Sequence, residues 1–224
     1  AAKIMADHAV KNKVKKLIFF SSGSVYGLKK EKKVTEELKL NPITAYNKTK
    51  MIAERVFLSF KDKIEVICLS PATVCGVSER LRLDVTVNKL TFDGFFKKKI
   101  FVDGGKQVRP NIHIEDIVRI IDHFVLSKKK FKYNIYNIGF ENLSILQIAK
   151  KIQKKLRAKI KINKSRDIRS YRQDSSRLIR TGFKPKYSVD HAIDQLIEYF
   201  KIKRLSNFGV NNFNLNKMKK LKIK

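Results

Sequence analysis

The chain has 224 residues, of which 43% are hydrophobic, and a formal net charge of +31 from 51 Lys and Arg against 20 Asp and Glu. This length and apolar content allow one or two globular domains with a sizeable core, and no apolar run approaches the ~20 residues of a membrane span. The two cysteines and four histidines lack the spacing of metal ligands, so we expect no metal site and, at Cys68 and Cys75, reduced and buried thiols of a cytoplasmic protein.

Strand-like and helix-like segments alternate along the chain. We predict strands at 16–20, 64–69, 100–102 and 135–138. We predict helices at 1–12, 44–60, 84–98, 116–127, 145–157 and 189–202, the second of them capped by Thr44. This alternation is typical of an α/β fold. The last segment, 201–224, reads as a basic, loosely packed tail.

The first predicted strand runs into a loop rich in Ser and Gly, 21–27. In an open parallel sheet, ligands bind at the carboxyl ends of the strands. Ser22 would therefore lie where its hydroxyl can hydrogen-bond a substrate hydroxyl.

Tyr46 and Lys50 stand four residues apart in the second predicted helix. Four residues make about one helical turn, so the phenol and the ammonium share a face. A cation there favours phenolate over phenol. Tyr46 is therefore a candidate acid and base.

Seven short motifs occur in a fixed order along the chain. They are SSGSVYG at 21–27, YNKTK at 46–50, PATVCG at 71–76, GKQVRPNIHIED at 105–116, YNIG at 136–139, DSS at 174–176 and GFKP at 182–185. Together, over about 2–200, they resemble the motifs of the extended short-chain dehydrogenases/reductases, and within them the NAD-dependent nucleotide-sugar epimerases and dehydratases. The resemblance implies that Ser22, Tyr46 and Lys50 are catalytic.

The same resemblance implies a cofactor and a substrate. The cofactor is NAD, with NADP not excluded, and its expected contacts are Ser21, Tyr46, Lys50 and Pro71. The substrate is a nucleotide-diphosphate sugar, and its expected contacts are Ser24, Thr73, Arg109 and Asp167. A planar guanidinium suits a diphosphate, while an ion pair of Arg109 with Glu115 or Asp116 is the structural alternative.

Dehydratases of this family carry acidic residues directly after the catalytic Ser or Thr, and here those positions hold Gly23 and Ser24. Without a carboxyl group there, elimination of water loses its general acid. The sequence therefore favours epimerisation or keto reduction over dehydration. The leading interpretation is an NAD-dependent nucleotide-sugar 4-epimerase with transient hydride transfer. An NAD(P)H-dependent ketoreductase and a non-catalytic basic binding protein remain as alternatives.

A glycine-rich G-x-G-x-x-G turn, which receives the cofactor diphosphate in a Rossmann fold, does not occur in the sequence. We therefore expect the C-terminal portion of a Rossmann-type parallel sheet with a small α/β substrate-binding lobe. The expected divisions are a partial NAD-binding domain at 1–80 and 106–142, the lobe at 81–105 and 143–200, and the tail at 201–224.

Partners follow from the resemblance and from the charge distribution. The family suggests a homodimer for the complete enzyme. Lysines are spread over most predicted exposed faces and are dense only at 217–224, and a strongly AT-rich coding sequence yields such a composition without any partner. We therefore predict neither specific nucleic-acid binding nor membrane binding.

Overall fold

The computed structural model describes residues 1–29, 31–164 and 170–221. Its strands are β1 Lys16–Phe20, β2 Glu65–Pro71, β3 Thr73–Cys75, β4 Lys99–Asp103, β5 Val108–His113, β6 Ile135–Ile138, β7 Glu141–Ser144 and β8 Lys159–Asn163. Its α-helices are α1 Ala2–Lys11, α2 Ala45–Leu58, α3 Thr86–Lys97, α4 Ile114–Leu126, α5 Ile145–Leu156, α6 Ser176–Ile179, α7 Val189–Lys201 and α8 Asn214–Lys220. The predicted α/β class is confirmed.

The chain divides into two compact units, 1–72 with 117–140 and 169–185, and 73–116 with 141–168 and 186–224. The predicted division placed 73–80 and 106–116 with the first region, and in the structure both belong to the second unit. The reason is strand pairing, because β3 and β5 join β7 in a sheet of the second unit. Residues 169–185, predicted in the lobe, belong to the first unit, where Gln173 bridges to Val34.

The first unit is built on a parallel sheet in the order β1-β2-β6. Its strands carry apolar residues to both faces, as expected for a covered parallel sheet. Ala6 of α1 and Phe57 of α2 pack against Val66 and Cys68 of the central strand, which holds both helices on one face of the sheet. Both predicted buried thiols, Cys68 and Cys75, are free and buried.

The second unit contains a three-stranded sheet, β3-β5-β7, and the parallel pair β4-β8. Helices α3, α5 and α7 enclose its core, in which Leu90, Ile148 and Leu196 are buried. The capping boxes of Ser144 and Ser188 fix the first turns of α5 and α7.

The C-terminal segment differs from the loosely packed tail that was expected. The rings of Phe208 and Phe213 lie 5.4 and 6.2 Å from the ring of Phe92, and Leu83 N donates to Asn212 O at 2.7 Å. Two aromatic side chains within this lysine-rich segment anchor it on the core of the second unit.

Among the residues that the structure describes, no helix is both long and apolar enough to cross a bilayer.

Candidate active site

Lys50 points to the carboxyl end of β1. Its Nζ donates a hydrogen bond to Phe20 O at 2.7 Å and lies 5.1 Å from the centroid of the Phe19 ring. Burial of the side chain lowers the pKa of Lys50 below its ordinary value. The ammonium is thus bound to a residue only two positions before Ser22 in the chain, at the strand end where the sequence predicts the ligand.

Tyr46 lies one turn before Lys50 on α2, with the Lys50 Nζ 5.9 Å from the centroid of its ring. Its side chain is 58% exposed, so its phenol is free to meet a ligand. Thr44 caps the helix by accepting the Asn47 N–H at 3.2 Å, as predicted. This cap fixes the first turn of α2, to which Tyr46 belongs.

Ser22 belongs to a short chain of hydrogen bonds that reaches α2. Its Oγ lies 2.7 Å from Ser24 Oγ and accepts the Ser24 N–H at 3.2 Å. Ser24 Oγ donates in turn to Asn47 Oδ1 at 2.8 Å. The loop after β1 and the first turn of α2 are therefore joined through side chains as well as through packing.

Ser21 and Glu54 form the buried side of the same region. Ser21 is 2% exposed and Glu54, two turns after Tyr46 on α2, is 3% exposed. Burial raises the pKa of the Glu54 carboxyl, and the neighbouring Ser21 hydroxyl lowers it. The Ser21 side chain is thus turned into the unit, and its predicted contact with a cofactor stays a prediction.

A buried polar network supports the loop from behind. The Tyr26 hydroxyl donates to Asn137 Oδ1 at 2.9 Å, and Asn137 N donates to Glu36 Oε1 at 2.8 Å. Burial raises the pKa values of Tyr26 and Glu36, which favours the protonated form of each side chain. The network ties the loop to β6 at Asn137, far away in sequence.

Gln173 closes the other side of the loop. Its Nε2 donates to Ser70 O at 2.6 Å. A Cβ atom at Gly23 would stand 3.0 Å from Gln173 Oε1 and 3.1 Å from Pro71 O. The position next to Ser22 therefore has no room for a side chain unless its neighbours shift.

The predicted cofactor and substrate residues fall in different parts of the chain. Pro71 ends β2, opposite Ile138 in the register of the sheet. Thr73 and Arg109 belong to the second unit, on the neighbouring strands β3 and β5. Arg109 Nη1 donates to Val108 O at 3.2 Å. Asp167 lies outside the described residues.

Asn47 and Gln173 are the site residues that the motifs did not indicate. Asn47 is one of the unspecified positions of Tyr-x-x-x-Lys, and only its burial at 8% exposure and its bond to Ser24 single it out. Gln173 binds Ser70 O from 103 residues away and lies beside Gly23 of the loop. Among the described residues, His, Cys, Asp and Glu side chains form no group of three that could hold a metal ion.

Comparison with known proteins agrees with the motifs. The sequence model of the NAD dependent epimerase/dehydratase family matches residues 2–139. The UDP-glucose 4-epimerase of Lactobacillus helveticus is 32% identical over an alignment of 165 residues, and the match covers 62% of this chain and 49% of that protein. The chain spans about half the length of the curated relatives it matches.

Solved structures share the fold. UDP-glucuronic acid 4-epimerase from Bacillus cereus, in complex with UDP-glucuronic acid and NAD, aligns with a TM-score of 0.78 at 25% identity, over 89% of this chain and 66% of that one. The NAD-dependent NDP-hexosamine 5,6-dehydratase TunA aligns with a TM-score of 0.81 at 21% identity, over 92% and 69%. The second likeness concerns the fold alone.

Proposed function

Because the chain belongs to the NAD dependent epimerase/dehydratase family, we propose that it carries the acid-base residues of an NAD-dependent nucleotide-sugar 4-epimerase. One observation supports this most strongly. The Lys50 ammonium is fixed on Phe20 O at 2.7 Å, one helical turn from Tyr46, and Phe20 itself stands two residues before Ser22. Three groups suited to proton transfer are thereby tied to one strand end.

Each of the three side chains has a role in this proposal. Tyr46 takes the proton from the reacting sugar hydroxyl and returns it after the keto sugar has turned over in the site. Lys50 supplies the positive charge that favours the phenolate. Ser22 hydrogen-bonds a hydroxyl of the sugar at the same strand end.

The residues present fit the nicotinamide end of NAD. Tyr46 is exposed and Lys50 partly so, and Pro71 ends the neighbouring strand β2; these residues would hold the cofactor. When bound, NAD would supply a hydride acceptor for the carbon that bears the reacting hydroxyl. A glycine-rich turn for the diphosphate does not occur in the 224 residues. Binding of the cofactor is therefore proposed for the protein as isolated from its natural source, which is called the native product below.

The space around Gly23 supports epimerisation over dehydration. An acidic side chain at this position would have to displace Gln173 or the backbone at Pro71, which lie 3.0 and 3.1 Å from the place of its Cβ. A dehydratase needs a general acid for the departing hydroxyl. The names of the relatives, a UDP-glucose and a UDP-glucuronic acid 4-epimerase, support the same choice.

The proposed substrate is a nucleotide-diphosphate sugar. Arg109 and Thr73 lie on paired strands of the second unit, and an arginine offers a fork of donors that matches a diphosphate.

For the assembly we propose a homodimer that pairs through α1 and α2, where Ile4, Met5 and Ile52 are 64, 60 and 57% exposed. Sedimentation velocity, which gives the mass in solution, tests the pairing.

The stoichiometry of NADH separates epimerase from ketoreductase. We expect the native product to interconvert a UDP-hexose and its 4-epimer with no net consumption of NADH, because the hydride is returned in each turnover. The measurement follows products by NMR and NADH by absorbance in one reaction. Consumption of one NADH per product molecule in a parallel reaction, in which a UDP-4-keto-hexose is the substrate, would assign the reductase instead.

A further inference from the structure

The Asn47 side chain is bound to the loop that carries Ser22, although an amide in the first turn of a helix can often turn to solvent. Asn47 is 8% exposed, its backbone N–H is held by the Thr44 cap at 3.2 Å, and its Oδ1 accepts from Ser24 Oγ at 2.8 Å. Both its backbone and its side chain are therefore fixed.

The bond to Asn47 decides the direction of the whole hydrogen-bond chain. A hydroxyl group has one hydrogen to donate, and an amide oxygen only accepts. Since Ser24 donates its hydrogen to Asn47, Ser22 must donate in the 2.7 Å contact between the two hydroxyls. Ser22 also accepts the Ser24 N–H at 3.2 Å.

Ser22 is left with one unused lone pair and no unused hydrogen. Toward a ligand it would therefore act as an acceptor, which suits a sugar hydroxyl that still carries its proton. Without the Asn47 oxygen, Ser24 could donate its hydrogen to Ser22. The Ser22 hydroxyl would then no longer be restricted to the role of acceptor toward a ligand.

We propose that Asn47 is a positioning residue that acts through Ser24 and orients the Ser22 hydroxyl as a hydrogen-bond acceptor for a sugar hydroxyl other than the one that gives its proton to Tyr46. This inference rests on the proposed function, because it assigns Asn47 a part in the reaction of Ser22 and Tyr46. It concerns a residue that the Tyr-x-x-x-Lys motif leaves unspecified.

The test compares Asn47→Ala and Asn47→Asp with Lys48→Ala, an exposed neighbour on the same turn, in the native product. Asn47→Ala is expected to lower kcat about tenfold, the value of one net hydrogen bond, with little change in KM. Asn47→Asp keeps an oxygen acceptor in the same place, so it is expected to retain most of the activity while its carboxylate is ionised. Lys48→Ala should match the parent.

The pH profile separates orientation from a purely structural role. A protonated Asp side chain can donate a hydrogen bond to Ser24 and thereby reverse the donor-acceptor direction of the hydrogen bonds from residue 47 to Ser22. The Asp variant should therefore lose activity at acid pH, with an additional ionisation in its pH profile that the parent lacks. A second readout is independent of turnover. Amide exchange of Ser24, whose N–H is bonded to Ser22 Oγ, should be faster in the Ala variant than in the parent and the Lys48 control.

Two results would overturn the inference. One is an Asn47→Ala variant with the kcat and Ser24 exchange of the control. The other is an Asp variant that is as impaired as the Ala variant and shows no additional ionisation. If the Ala variant melts at a lower temperature than the parent, only the Asp variant is used to decide. If Tyr46→Phe is inactive while the Asn47 variants behave as the control, this inference fails and the proposed function stands; if Tyr46→Phe is fully active, the proposed function itself fails.

Discussion

Replacing Tyr46 by Phe is expected to lower kcat of the native product by about 100-fold to 10,000-fold, the usual contribution of a general acid and base. The substitution removes one oxygen and keeps the ring, which lies 5.9 Å from the Lys50 Nζ. Because Tyr46 is 58% exposed and stands in the first turn of α2, folding should be unchanged. Steady-state kinetics with a UDP-hexose and NAD give the effect.

Tyr199→Phe is the matched control for the chemistry of the phenol. Tyr199 lies on α7 of the second unit, where its ring packs edge-on against Phe200. The loss of this hydroxyl should leave kcat within experimental error. Full activity of Tyr46→Phe, or an equal loss in both variants, would remove Tyr46 from the acid-base role.

The largest effect on stability is expected from Gly27→Ala. Gly27 has φ +70°, and a Cβ atom there would lie 2.0 Å from Asn41 O. With ψ −145° the backbone lies in a region that almost only glycine adopts, and such a conformation costs a residue with a Cβ about 1–3 kcal/mol. The overlap with a backbone oxygen adds the cost of moving the chain. We therefore expect a loss of about 3 kcal/mol or more, which lowers Tm by roughly 6–12 °C in a chain of this size.

Gly209→Ala is the control, because no atom lies within 4 Å of its added Cβ. Its Tm should stay close to that of the parent in the same calorimetric scan. Gly27→Ala should also weaken the loop that carries Ser22, since Asn41 N donates to Val25 O at 3.1 Å beside it. Equal Tm values for the two variants would contradict the close approach at Gly27.

The sequence was most informative where the chemistry is local. A strand of consecutive apolar residues, a capped helix and the spacing of Tyr46 and Lys50 all depend on neighbours within one turn, and each lies where it was predicted. The family also followed from short ordered motifs, and the match over 2–139 confirms it.

Strands β3, β5, β7 and β8 were not predicted. β5 contains Pro110 and several polar residues, and β7 reads Glu-Asn-Leu-Ser, so neither has the apolar run or the alternation of an isolated strand. They are strands because of their pairing with each other, Pro110 opposite Asn142. Tertiary pairing of this kind overrides local preference.

Support of the loop at Ser22 depends on residues far away in the chain. Asn137 and Gln173 stand 111 and 103 positions from the groups that they bind, Tyr26 and Ser70. Nothing in their local sequence distinguishes them from surface amides. The same holds for Phe208 and Phe213, whose lysine-rich surroundings suggested a loose tail although their rings pack near Phe92.

The fate of a deuterium label at C4 of the sugar tests the central proposal most directly. The native product is incubated with NAD and a UDP-hexose that carries deuterium on the carbon of the reacting hydroxyl, in ordinary water, and the 4-epimer is analysed by NMR. Transient transfer of a hydride, with Tyr46 handling only the hydroxyl proton, predicts an epimer that keeps its deuterium. An epimer that has lost the label to solvent, or the absence of any epimer, would contradict the account.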